Sequence, residues 1–137
     1  MGTWSTDSLG NDTAGDWADD LKECPNLSYI DATLDRVLAS GDARLGSMEA
    51  CRAIAAIETL ARLLGRWGIR NSHTEDVDNW VESVNLTPDT TLALKAQRVL
   101  DRILTDPSLL LDEWRESGKL FEEWLDVMQD LRRRIGT

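Results

Sequence analysis

The sequence predicts an all-α protein: a single domain of six or seven helices packed around one central apolar helix at about residues 47–66. Three observations lead there. Apolar residues recur every three or four positions through most of the chain, which is the spacing of one helix face. Helix start and stop residues bracket these stretches. No segment alternates apolar and polar residues in the way a half-buried strand requires. The 137 residues have the size of one domain, taken as 1–137, with an extended N-terminal arm over about 1–10 that lacks helical period and contains Gly2 and Gly10.

The first helix starts where Asn11 or Asp12 can cap it and is expected to run to about Cys24, before Pro25. Asp16, Asp19, Asp20 and Glu23 make one side acidic, and Trp17 and Leu21, four apart, lie on the other. The second helix, about 27–40, carries Leu27, Ile30, Leu34, Val37 and Leu38 and ends at Gly41. The third, about 47–66, takes Ser47 as its cap. It is apolar around most of its girth, with Glu49, Arg52, Thr59, Arg62 and Arg66 as its polar edge. Such a helix is usually central.

Gly65 to Gly68 break the third helix, and 69–73 form a loop. A short helix follows at about 75–84, capped by Thr74, with Val77, Trp80, Val81 and Val84 inward. Thr87-Pro88 opens a helix at about 88–105, since proline suits the first helical position. Asp106-Pro107 repeats that signal for a helix at about 107–117, stopped by Gly118. The last helix, about 119–135, sets Leu120, Trp124, Val127, Leu131 and Ile135 on one face, with Arg132, Arg133 and Arg134 meeting the negative end of its dipole. Six Trp residues against one Tyr and one Phe imply that indole rings carry much of the packing between helices.

The net charge is −10. Residues 1–43 hold nine acids against Lys22 and Arg36, a balance of −7, while 44–137 hold sixteen acids against thirteen bases, a balance of −3. An acidic front disfavours nucleic acid and anionic membranes and favours a basic protein partner. No apolar run is long enough to span a bilayer and no signal-peptide core is present, so a cytoplasmic location is expected. Cys24 and Cys51 form no metal spacing and no CxxC pair, and are expected to be free thiols.

Chemistry-bearing motifs are sparse. His73, the one histidine, lies in a polar loop. One His and two distant Cys do not make a zinc set, and no cofactor motif is present, so no metal and no cofactor is expected. Carboxylates are the abundant reactive groups. Glu113 with Glu116, and Glu123 with Asp126, place acids one helical turn apart, a pattern able to hold Mg²⁺ through oxygen ligands. Trp80-Val81-Glu82-Ser83 and Trp114-Arg115-Glu116-Ser117 echo each other 34 residues apart, but the other signposts of a helical repeat are missing.

The opening Met1-Gly2-Thr3-Trp4, then Asn11-Asp12-Thr13-Ala14 and Asp16-Trp17, resembles the start of a bacterial family designated domain of unknown function 4259. Leu63-Leu64-Gly65 resembles the end of that family's Ala/Leu-rich central helix. The stretch from Glu113-Trp114 to Trp124-Leu125 resembles its closing pair of acidic helices. The chain departs from the pattern at Ser5, Ser8, Leu9 and Gly10, where such proteins more often have Gly, a small residue, Phe and an acid. The resemblance implies a helical bacterial protein and no particular activity.

In physical terms, Trp4 can tuck in near Trp17, with Gly2 allowing the approach, while Asn11 and Asp12 satisfy free N–H groups of the first helix. As binding residues the same segment offers Trp4, Asn11, Asp12, Asp16, Trp17, Asp19 and Asp20. Two functions are expected. The first is a non-enzymatic protein-binding module acting through its acidic surface, of the immunity or antitoxin kind. The alternative is a Mg²⁺-dependent helical hydrolase, resembling nucleotide pyrophosphohydrolases, that uses the acidic helices.

Overall fold

The computed structural model describes residues 6–136. Among them are seven helices: α1 (Asp12–Leu21), α2 (Ser28–Leu38), α3 (Ser47–Leu63), α4 (Glu75–Val84), α5 (Thr90–Ile103), α6 (Leu109–Arg115) and α7 (Lys119–Ile135). The all-α class is correct, and no strand forms among these residues. A single bridge joins Leu45 to Ser108, clamping the α2–α3 connection to the start of α6. Leu45 donates to Pro107 O at 3.0 Å, and Leu109 donates to Leu45 O at 2.9 Å.

Helix α3 is the axis of the assembly, and each of the other six helices packs against it. Every residue from Ala53 to Arg62 is buried. Alanines at 50, 53, 55, 56 and 61 explain how so many neighbours fit, because small side chains let helix axes approach closely. Ile54, Ile57 and Leu60 then fill the spaces between those neighbours.

Four tryptophans tie the outer helices to one another around this axis. The Trp17 ring stacks on Tyr29 at 5.2 Å, and its Nε1 donates to Thr33 Oγ1 at 2.9 Å, joining α1 to α2. Trp80 Nε1 donates to Cys24 O at 2.8 Å, joining α4 to the end of α1. Trp114 stacks on Trp124 at 5.8 Å, joining α6 to α7. Each ring removes a large apolar area from water, and Trp17 and Trp80 also satisfy their N–H.

Several boundaries differ from the sequence expectation. Helix α1 ends at Leu21 rather than Cys24, because the chain turns before Pro25. Gly46, in extended conformation, is the cap of α3; Ser47 is already helical. Thr87-Pro88 does not open α5. Asp89 does, its carboxylate accepting from Leu92 N at 2.8 Å, a better acceptor than a hydroxyl two residues earlier. Asp106-Pro107 likewise precedes a helix that begins only at Leu109, because Pro107 O and Leu109 N are spent on Leu45.

Helix α3 stops at Leu63, not Arg66. Gly65, at φ +82°, donates to Arg62 O, and Arg66 donates to Ala61 O, both at 2.9 Å. This pairing satisfies the last carbonyls and needs the left-handed conformation that glycine adopts without strain. On α7 the buried stripe is Trp124, Met128, Leu131 and Ile135. Met128 takes the place expected for Val127, and Leu120 stays 46% exposed.

Ile57→Asp puts an unpaired carboxylate at a fully buried position on the common axis. It should cost roughly 3–5 kcal/mol. A urea midpoint close to that of the unaltered protein would refute the central role of α3.

Candidate functional site

The polar edge of α3 is where the sequence expectation fails most. Arg62 and Thr59 are 2% and 0% exposed, and Glu58, one residue earlier, is 4% exposed. Thr59 is satisfied locally, donating to Ala55 O at 2.8 Å. Glu58 and Arg62, four apart and therefore on one face, are covered by α4 and α7 and build a closed network of charges.

Arg62 Nη1 donates to Glu58 Oε2, its Nε donates to Asp78 Oδ1 at 2.6 Å, and its Nη2 donates to Ile69 O at 2.5 Å. Asp78, on α4, is itself 4% exposed; it also accepts from Thr74 Oγ1 at 2.6 Å and lies 3.4 Å from Arg70 Nε. From α7, Arg134 brings Nη1 and Nη2 to the two oxygens of Glu58, at 2.6 and 2.9 Å, and its Nε to Asp130 at 2.8 Å. Burial alone would lower the Arg134 pKa. The hydrogen bonds to Glu58 and Asp130 reverse this, and the net direction is upward, so the guanidinium stays cationic.

The loop after α3 is folded around the same charges. Trp67 lies under two guanidiniums, with Arg70 4.4 Å and Arg62 5.6 Å from its ring centroid. Arg66 Nη1 donates to Arg134 O at 3.0 Å and also to Gly136 O, tying the loop to the end of α7. A Cβ at Gly68 would come within 3.0 Å of both terminal nitrogens of Arg134, so glycine there gives the guanidinium room. Arg134, expected to serve the helix dipole, serves Glu58 instead.

Above this network is a cavity of about 260 Å³. Glu58, Arg62 and Arg134 form its floor, and Asp126, Val127 and Asp130 of α7 form one wall. The loop residues Ile69, Asn71, His73 and Thr74 form another, and residues 7–10 of the arm close the third. Among the described arm residues, Ser8, Leu9 and Gly10 are buried, so this part of the arm is docked. His73, expected to be a solvated loop residue, is exposed and also lines the cavity.

The residues expected to bind at the front separate into two sets. Asn11 and Trp17 are buried and work within the fold: Asn11 Oδ1 accepts from Ala14 N at 2.8 Å, which settles the cap of α1 on Asn11. Asp12, Asp16, Asp19 and Asp20 are exposed. Trp4 lies outside the described residues. Lys22 pairs with Asp19 at 3.3 Å and with Asp76 of α4 at 3.2 Å, so the acids of α1 and α4 meet across one cation. Those hydrogen bonds, first to Asp76 and then to Asp19, raise the Lys22 pKa.

Neither cysteine is in a disulfide. Cys51 is buried in α3, and burial together with Asp20 and Glu23 raises the Cys24 thiol. Among the described residues, no three His, Cys, Asp or Glu side chains gather in a way that could hold a metal ion. No helix among the described residues is long and apolar enough to cross a membrane.

Sequence reasoning missed Glu58, Asp78 and the cavity. A signal was present: Glu58 and Arg62 are charges one turn apart on a helix that is otherwise apolar around its girth. Glu58→Gln leaves two guanidiniums short of a counter-charge and should cost roughly 3–5 kcal/mol. Arg134→Met should cost much less in the Glu58→Gln background than alone, because the two side chains share one interaction. Urea unfolding of the two single variants and the double variant checks both statements, and additive losses would show that the network is not a unit.

No curated protein and no solved structure matches the chain significantly. The family model described as "Domain of unknown function (DUF4259)" matches residues 2–127, nearly the whole of the 137 residues, and therefore takes in the docked arm, α3, α4 and most of α7. The chain belongs to the DUF4259 family.

Proposed function

We propose that this protein is a non-enzymatic binding module that recognises a basic protein partner through its acidic surface. The observation that carries the reading is the meeting of α1 and α4. Asp12, Asp16, Asp19, Asp20 and Glu23 are exposed along or just after α1, and Glu75 and Glu82 are exposed on the helix packed beside it. Lys22 and Arg70 are the bases paired into this region. An unbalanced field of this kind steers an oppositely charged partner and rejects anionic ones. A cytoplasmic inhibitor of a basic protein, of the immunity or antitoxin kind, fits that chemistry. The hydrolase alternative receives less support, since Glu113 and Glu116 on one side and Glu123 and Asp126 on the other are not gathered into an ion-holding group.

The test compares two variants that lose equal charge. Asp16→Asn, Asp19→Asn and Asp20→Asn are combined in one; Glu116→Gln, Glu122→Gln and Glu123→Gln are combined in the other. Titration calorimetry with a lysine- and arginine-rich peptide at physiological salt should show about a tenfold loss of affinity in the first and little change in the second. Equal losses would mean that only net charge matters, and the reading would fail.

A further inference from the structure

We infer that residues 6–10, the described part of the arm, form a strap that lifts away from the body as a unit, ahead of global unfolding, and so gates the cavity over the α3–α4–α7 charge network. The inference does not depend on the acidic face of α1 being a contact surface.

The first observation is how the strap is anchored. Leu9, 5% exposed, is its buried apolar side chain, and Asp7 also has a partner. Among the described residues, Ser8, Leu9 and Gly10 make one hydrogen bond, from Gly10 N to Asp7 O at 3.3 Å, and it lies within the strap itself. The other two walls of the cavity are tied to the charges beneath. Helix α7 is held through Arg134 and Glu58, and the loop through the Ile69 carbonyl on Arg62.

The second observation is what the docked strap buries. Ser8 Oγ and Trp114 Nε1 are both buried with no hydrogen-bond partner among the described residues. The two residues border one crevice of about 10 Å³, beside Asp7, Asn11 and Cys51. That space holds one water at most, and neither atom has surface open to it. A hydroxyl and an indole N–H shut away without partners oppose the packing that shuts them in. Seating the strap therefore sets the apolar gain of Leu9 against two polar costs. A segment balanced in this way opens locally at a cost well below that of the whole fold.

Release has two consequences. The strap runs directly into Asn11, whose Oδ1 holds Ala14 N, so the first turn of α1 loosens with it. The cavity of about 260 Å³ and the crevice beside Cys51 both open to water. Cys51 is 3% exposed in the closed form, so its thiol reports the opening.

The experiment labels Cys51 with an excess of an aromatic disulfide reagent in the full chain carrying Cys24→Ser. Below the urea transition, labelling should run at least about tenfold faster than global unfolding allows and should barely depend on urea. Amide exchange should show Gly10 and Ala14 opening together, while Asp112 of α6 and Ile57 of α3 stay protected. Leu9→Ala should speed labelling at least about tenfold. Ser8→Ala should slow it several-fold, because the docked strap then buries one unpartnered group fewer. Labelling with the full urea dependence of unfolding, unchanged labelling in Leu9→Ala, faster labelling in Ser8→Ala, or joint loss of protection at Asp112 would overturn the inference. The urea dependence and the sign at Ser8 decide it even if Leu9→Ala does not fold.

Discussion

The buried pairing of Glu58 with Arg62 and Arg134 is the constraint around which this fold is arranged. Charges taken out of water cost several kcal/mol each unless every donor and acceptor is matched. Here the match needs three helices and a loop. Helix α3 supplies Glu58 and Arg62, α4 supplies Asp78, α7 supplies Arg134 and Asp130, and the turn after α3 supplies the Ile69 carbonyl. None of these segments can shift without leaving a buried charge exposed to an apolar neighbour. An apolar core tolerates small slips between helices; a directional network does not.

Around that centre the packing is of two kinds. On the side of α1, α2 and α5, small alanines and branched aliphatics of α3 accept neighbours without polar contacts, and Trp17 closes the layer through Tyr29 and Thr33. Lys95 of α5 reaches Asp31 and Asp35 of α2 at 2.6 and 2.7 Å outside the apolar layer. The hydrogen bond to Asp31 and then that to Asp35 raise its pKa. These surface pairs contribute little, and the layer depends on its apolar area. On the side of α4 and α7, the polar face of α3 is buried, and the cavity lies beside it. Polar burial and open space thus occur together at one place.

The docked arm links the two regions. Residues 8–10 are buried against the cavity, and Asn11 immediately caps α1. The acidic helix and the cavity wall are consequently consecutive in the chain. Anything that displaced the arm would disturb the start of α1. Within five residues, 7–11, the chain thus forms one wall of the cavity and the cap of the next helix.

Helix positions were legible in the sequence because helix periodicity is local. The stripe of α3 and the extent of α4 and α7 follow from residues within a few positions of one another. The exact caps of α3, α5 and α6 were less legible, since Gly46, Asp89 and Ser108 compete with equally plausible neighbours, and for α6 the choice depends on Leu45, more than sixty positions away. Of the candidate site, only the spacing of Glu58 and Arg62 on an otherwise apolar helix was legible. Whether Arg62 lies in water or in the core depends on which helix covers it, and the partner that matters to Glu58 is 76 positions further along. Composition determined an acidic, helical chain with enough apolar surface for one core. Only the tertiary structure decided which charges are buried, because burial depends on contacts between distant helices and not on the order of residues within one.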